Sequence, residues 1–307
     1  MLAAARDQSD IAFEHRWPAL FNLGDYLCSP RHYFKFEPWR DEGGQPRRVT
    51  IVGGGAFNQL GQEAGSTGAG RVHIAWGIGR SVAYGNTDVA DLGAARAFHS
   101  EFSTRDPDLA AQGASLVPCV SVMHELVDLP VGDETGLFLN GDRAVGDSRE
   151  LRTIAAGKDL VFGTNAMAEH DFMAQLARTN RLITNSYHVA YWGLLSGRAV
   201  ALIGYSSKFD SLLTLLGLTT KPLCYARGEI EDLKRAVAKS FDQAAFVRLP
   251  DHLTLKEDFR QLNRAFARRL VERGLVAAAE PCSSAETLQQ RMVMLHERYK
   301  TVLQAPI

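Results

Sequence analysis

The sequence predicts an α/β protein made of two parallel-sheet halves, with helices at its C-terminal end. Three observations predict it. Short apolar runs bounded by glycine or polar turns alternate with polar or helical stretches along most of the 307 residues. The segment from Arg181 to Lys208 reads without a break as strand, polar turn, helix, glycine stop, strand and polar turn. A helix-period pattern dominates only after residue 250.

In the first half, Val49 to Val52, Val72 to Trp76 and Ser115 to Val120 read as strands. In the second half, Gly136 to Leu139, Leu160 to Gly163, Leu182 to Thr184, Ala199 to Ile203 and Pro222 to Tyr225 do so. The polar stretch Val131 to Thr135 is the best linker, which puts the domains at 1–130 and 131–307. Near the end, Phe259, Leu262, Phe266 and Leu270 recur at helix spacing, with Arg260, Arg264 and Arg268 on another face. Ser283 and Glu286 form a capping box for a last helix carrying Leu288, Met292, Leu295 and Tyr299. No internal repeat or low-complexity tract is present.

The central segment carries the chemistry. Leu182 and Ile183 are a short apolar run, Thr184 to Ser186 suit a helix start, and Gly197 suits the position past the helix end. Ala199 to Ile203 then reads as a buried parallel strand. His188 and Lys208 both fall at carboxyl ends of strands, the edge where open α/β sheets bind ligands. A helix-capping polar residue is the plainer reading of His188.

Composition narrows the function. A hydrophobic share of 46% and a charged share of 22% fit a chain with real cores. A net charge of −1 argues against nucleic acid as the main partner, since phosphate backbones need a strongly basic face. Cys28, Cys119, Cys224 and Cys282 form no Cys-x-x-Cys pair, so neither a zinc site nor a disulfide framework is predicted. Cys119 beside His124 has the makings of a nucleophile, but a buried structural cysteine is preferred. No apolar run has the length of a membrane span, and the acidic and basic residues of the first 16 positions do not resemble a secretory signal. A cytoplasmic protein is expected.

The segment after Leu182 resembles the C-terminal signature of the polysaccharide pyruvyl transferase family. There a strand ends in Thr-Ser or Asn-Ser, and a two-residue step leads to His. This chain has Asn185-Ser186-Tyr187-His188, then Gly197-Arg198-Ala199-Val200, then Tyr205-Ser206-Ser207-Lys208 before the leucines from Leu212 to Leu218. Upstream and in the family's order stand Asn22-Leu23-Gly24-Asp25, Gly53-Gly54-Gly55 after an apolar run, Trp76-Gly77-Ile78-Gly79, and Arg105-Asp106. Val189 replaces the usual Gly after His, and Ser186 stands where many members carry Arg. The family's Asp-Pro gives way to Val117-Pro118-Cys119-Val120-Ser121.

The resemblance implies two Rossmann-like domains facing across a cleft, an arrangement called GT-B-like, with the site between them. It also implies transfer of pyruvyl from phosphoenolpyruvate to two hydroxyls of one sugar, giving a cyclic ketal and phosphate. No cofactor is implied beyond that co-substrate, and no metal. His188 is the candidate acid/base and Asp25 a candidate base for an acceptor hydroxyl. Arg105 and Lys208 are candidates for holding phosphate and carboxylate, with Arg80 as a third cation. Asn22, Asn185, Ser186, Tyr205 and Ser206 are candidate polar contacts, and Gly53, Gly54 and Gly55 would let backbone N–H groups approach. The acceptor is a glycan of an exopolysaccharide or cell-surface precursor. If it is lipid-linked, the arginine stripe would make peripheral contact with the inner face of the membrane, although a solvated face is the plainer reading. Oligomeric state is open, a homo-oligomer included. Two alternatives stand: a glycosyltransferase of the same architecture using a nucleotide sugar, and a catalytically inactive glycan-binding subunit.

Overall fold

The computed structural model describes residues 10–15, 21–62, 70–87, 91–142, 145–146, 148–286 and 288–291. In chain order its strands are β1 (Ile11–Glu14), β2 (Phe34–Glu37), β3 (Val49–Gly53), β4 (Val72–Ile78), β5 (Glu101–Thr104), β6 (Ser115–Leu116), β7 (Glu134–Leu139), β8 (Val161–Thr164), β9 (Thr179–Thr184), β10 (Ala199–Gly204), β11 (Leu223–Cys224) and β12 (Ala278–Pro281). Its helices are α1 (Leu23–Tyr26), α2 (Leu92–Phe98), α3 (Pro107–Ala111), α4 (Ser148–Gly157), α5 (Glu169–Ala177), α6 (Tyr187–Leu195), α7 (Ser207–Leu215), α8 (Ile230–Lys239) and α9 (His252–Glu272).

The strands make two five-stranded parallel sheets, ordered β1-β3-β4-β5-β6 and β11-β10-β9-β7-β8, as the α/β pattern predicts. The second sheet winds outward in both directions from β7, and the neighbouring ends of β7 and β9 form its switch point. Such a point opens a crevice beyond the carboxyl ends of the strands. Strands β2 and β12 pair antiparallel as a separate ribbon.

Several sequence boundaries move. The expected strand from Ser115 to Val120 is only two residues long, because the chain turns at Pro118 into a 3-10 turn over Val120–Met123. Part of the expected linker belongs to β7, since Glu134 and Thr135 already pair with Thr179 and Arg181. Strands β1, β2, β5 and β12 carry short or mixed patterns that did not stand out.

Helix α6 is buried at every position, which explains its apolar circumference. Gly197 follows its cap with φ +81°, the left-handed conformation that the sequence assigns to that glycine. Helix α9 packs against the first sheet, and Phe266 lies edge-on to Trp76 with ring centroids 4.8 Å apart. Its inner face is Lys256, Phe259, Asn263, Phe266, Ala267 and Leu270. Leu262, expected inside, is 38% exposed, and the adjacent Asn263 takes the interior position. Asn263 is held there by three hydrogen bonds, accepting from Trp76 Nε1 (2.8 Å) and donating to the carbonyls of Pro118 and Phe259.

Two arginines of the stripe are engaged by neighbours. Arg260 pairs with Asp128 and donates to the Val122 carbonyl, and Arg264 pairs with Glu257. The capping box forms as expected, with Glu286 accepting from Ser283 N and Ser283 Oγ accepting from Glu286 N. Met292, Leu295 and Tyr299 lie outside the described residues. Among the described residues, no helix is long and apolar enough to cross a membrane.

Candidate functional site

A solvent-open cleft of about 610 Å³ collects residues from the carboxyl ends of both sheets. Ala56 follows β3, Ser81 follows β4 and Arg105 follows β5, while Asn140 and Asp142 follow β7 and Asn165 follows β8. Ser186, Tyr187 and His188 follow β9, Tyr205 and Lys208 follow β10, and Arg227 lies beyond β11. Asn22 and Asp25 complete the lining from the α1 turn.

The α1 turn explains two of these roles. Asn22 is the N-cap, its Oδ1 accepting from Gly24 N (3.0 Å) and Asp25 N (3.3 Å). That leaves the Asp25 carboxylate free of capping work on the cleft wall. The turn is pinned to the second sheet by Leu23 N donating to the Asn165 carbonyl (2.7 Å).

His188 sits in the first turn of α6 and is 5% exposed. Its Nε2 meets Cys28 Sγ at 2.9 Å, an Arg105 guanidinium nitrogen at 3.2 Å and Cys119 Sγ at 3.8 Å. The guanidinium of Arg105 lies 4.0 Å from the centre of the Tyr187 ring, a cation–π contact within the buried wall. Gly79 makes room for it, since a Cβ there would stand 2.7 Å from Arg105 Nε. Arg105 is thus a partner of the site histidine, not of Asp106, which accepts from Asp108 N at the start of α3.

Lys208 occupies the equivalent first-turn position of α7, one strand further along the sheet. Its ammonium donates to Tyr205 Oη (2.7 Å) and lies over the Tyr205 and Phe209 rings. Arg227 also lies near the Tyr205 ring, at 5.7 Å. Among the described residues, the cleft lining therefore carries three cations, Arg105, Lys208 and Arg227, and two carboxylates, Asp25 and Asp142.

Of the sequence candidates, Asn22, Asp25, Arg105, Ser186, His188, Tyr205 and Lys208 line one cleft. The others stand behind it or beside it. Asn185 is buried, its amide donating to Tyr225 Oη and its carbonyl accepting from Asn140 N, so it holds the β7 loop. Ser206 takes a hydrogen bond from Ser81 Oγ (2.8 Å) and joins the two sheets' loops. Gly53 and Gly54 pack closely against Cys28. A Cβ on Gly54, at φ +54°, would fall 1.9 Å from Cys28 Cβ, and Gly54 N donates to the Trp76 carbonyl rather than to a ligand. Arg80 is absent from the cleft lining, and its buried Nε has no hydrogen-bond partner among the described residues.

Sequence reasoning passed over Asn140, Asp142, Asn165 and Arg227. The signal for the first three was available, since each is a polar residue just past an apolar strand, where parallel sheets place ligands. Arg227 has no comparable signal, because its approach depends on how the loop after β11 folds back.

The cysteines depart most from expectation. Cys28 and Cys119, 91 residues apart, bring their sulfurs to 3.2 Å. Cys119 belongs with His188 and not with His124, whose ring accepts from Leu126 N and pairs with Glu169. Burial pushes the Cys28 thiol up, and its neighbour Cys119 adds to that. Burial also opposes the Cys119 thiolate, yet hydrogen bonding to Cys28, the His188 ring and the Arg105 charge together hold Cys119 well below the usual thiol range. Cys28, Cys119 and His188 have the donor chemistry of a thiophilic metal site. The guanidinium of Arg105 occupies one approach to the same Nε2, so the arrangement is a hydrogen-bonded network around the imidazole.

Searches against protein-family models and against curated proteins return no match for this chain.

Proposed function

We propose that this chain is a ketal-forming pyruvyl transferase that moves pyruvyl from phosphoenolpyruvate to two hydroxyls of a glycan precursor. In this reading its two sheets are Rossmann-like domains facing across the cleft in a GT-B-like arrangement. One observation carries it: Asp25, Arg105, His188 and Lys208, picked from four separated segments, line one cleft at the carboxyl ends of both sheets. The resemblance of those segments to the polysaccharide pyruvyl transferases supplies the reaction.

The donor has a phosphate and a carboxylate, and Arg105, Lys208 and Arg227 supply three positive groups for two anions. His188 delivers a proton to the enol methylene carbon, which leaves C2 electron-poor. A first sugar hydroxyl adds to C2 and loses its proton to a base, for which Asp25 on the cleft wall is the candidate. Phosphate departs, taking the proton that the base received; the second hydroxyl adds to C2 and gives its proton to His188, and the ketal closes. The sum is phosphoenolpyruvate plus a diol giving ketal and inorganic phosphate.

The test is calorimetric titration with phosphoenolpyruvate, with a nucleotide-sugar panel in parallel, on wild type and Lys208→Ala. Saturable phosphoenolpyruvate binding that weakens about tenfold or more in the variant supports the reading, since one charge-assisted bond is worth roughly 1.5–3 kcal/mol. Binding only of a nucleotide sugar would replace it with a glycosyltransferase. Binding of neither, with glycan still bound, would leave an inactive glycan-binding subunit.

A further inference from the structure

We propose that Asn22, Asn140 and Asn165 form the acceptor subsite of the cleft and select an uncharged sugar ring. Calling that sugar the acceptor rests on the pyruvyl transferase reading, while its binding to the asparagines does not.

All three asparagines line the cleft, and the backbone fixes the orientation of each amide. Asn22 Oδ1 accepts from Gly24 N (3.0 Å) and Asp25 N (3.3 Å), Asn140 Oδ1 from Asp142 N (3.0 Å), and Asn165 Oδ1 from Gly141 N (2.8 Å). A backbone N–H only donates, so the amide oxygen must face it and the NH2 group must point the other way. None of the three Nδ2 atoms has a hydrogen-bond partner among the described residues, yet none is sealed from solvent. Asn140 and Asn165 are only 8% and 2% exposed, so the surface they keep is cleft surface. Asn185 shows the contrast, because both ends of its amide are bonded inside the protein.

The three belong to one framework. The Asn165 carbonyl accepts from Leu23 N (2.7 Å) in the α1 turn, its Oδ1 holds the β7 loop at Gly141, and Asn140 N donates to Asn185 Oδ1 (2.7 Å). Three donors are thus set in place before any ligand arrives, which lowers the ordering cost of binding.

Strand order assigns them to the acceptor. The second sheet runs β11-β10-β9-β7-β8, and its lining residues change character along that edge. Arg227 and Lys208 follow β11 and β10, His188 follows β9, and Asn140 and Asn165 follow β7 and β8. The α1 turn, with Asn22 and Asp25, joins the amide side through Leu23 and Asn165. An anion finds its counter-charges on the Lys208 side of His188 and meets the Asp25 carboxylate on the other. A sugar hydroxyl both donates and accepts, so fixed NH2 donors beside a carboxylate match it, and a ring without charge avoids repulsion by Asp25. His188 stands between the two sides, where donor and acceptor meet in the proposed reaction.

The test is a saturation-transfer NMR titration with the methyl glycosides of galactose, glucose, mannose and N-acetylglucosamine, and with those of galacturonic and glucuronic acid as anionic rings. Wild type should bind at least one neutral ring more tightly than either uronide. Asn140→Asp and Asn165→Asp keep the oxygen that holds the loop and replace only the NH2 donor. Each should weaken the preferred neutral glycoside about fivefold or more, whereas Lys208→Ala should change it less than about twofold. Binding of none of the neutral rings, a uronide bound as tightly as the best of them, or a loss in Lys208→Ala equal to that in the aspartate variants would overturn the proposal. So would an unchanged affinity in both aspartate variants. If those variants do not fold, the wild-type preference between neutral and anionic rings decides alone. Neutral glycoside bound without phosphoenolpyruvate binding removes the reaction and keeps the subsite, and the converse removes the subsite and keeps the reaction.

Discussion

Gly24 and His188 are packed so closely that a methyl group on the glycine would stand 2.2 Å from Nδ1 of the imidazole. The α1 turn and the α6 helix can meet only because position 24 has no side chain. Gly24→Ala is therefore expected to push the ring off its three partners and destabilise the fold by about 1–3 kcal/mol. Gly157→Ala, at the end of α4 with open space around its Cα, is expected to be neutral or stabilising by up to about 1 kcal/mol. Urea midpoints of the two variants check the opposite signs.

Asn263 satisfies the indole N–H of a fully buried tryptophan from a helix face that otherwise presents Lys256 and four apolar residues. Asn263→Leu leaves Trp76 Nε1 and the Pro118 carbonyl without that partner. The expected loss is about 1–3 kcal/mol, the cost of stranding buried polar groups, although the new side chain is more apolar. Thermal melts of this variant against Leu262→Asn, on the exposed neighbour, would show whether burial or composition governs the effect.

Asp128 receives Lys256 at 2.9 Å and Arg260, so α9 is tied to the turn before β7 by one carboxylate with two cations. Partial burial raises its carboxyl, but hydrogen bonds from Lys256 and Arg260 outweigh that and hold it below the ordinary range. A depressed folded-state value means the contribution is complete above the aspartate range near pH 4 and is lost as pH falls through it. Asp128→Asn should melt lower than wild type at pH 7, and the gap should narrow as pH falls below the ordinary aspartate range. A gap that is constant across that range would show that the ion pairs do not hold α9.

Much of the architecture was legible because parallel strands announce themselves as short apolar runs. The strand and helix boundaries around His188 and Lys208 follow from Gly197 and the polar turns, and both residues fall where that pattern puts them. Strand β6 was misjudged because Val117 and Val120 are apolar for packing while Pro118 ends the ladder. Leu262 and Asn263 show the same limit, since one residue's periodicity cannot reveal that a tryptophan 187 positions away needs an acceptor. The cysteine pair was invisible for a related reason. Metal and disulfide patterns are read from short spacings, and this cluster draws on positions 28, 119 and 188.

Helix α9 gives the chain an order of assembly. The second sheet lies within residues 134–224, whereas the hydrophobic cluster around Trp76 includes Phe266, Ala267, Leu270, Leu275 and Val276 from the other end of the chain. During synthesis the N-terminal strands emerge first yet wait for the last part of the chain to cover them, and the core of the second sheet also takes Phe259 from α9. A ribosome stalled before residue 252 would carry an uncovered apolar surface at its first sheet, and chaperone capture or proteolysis should fall there.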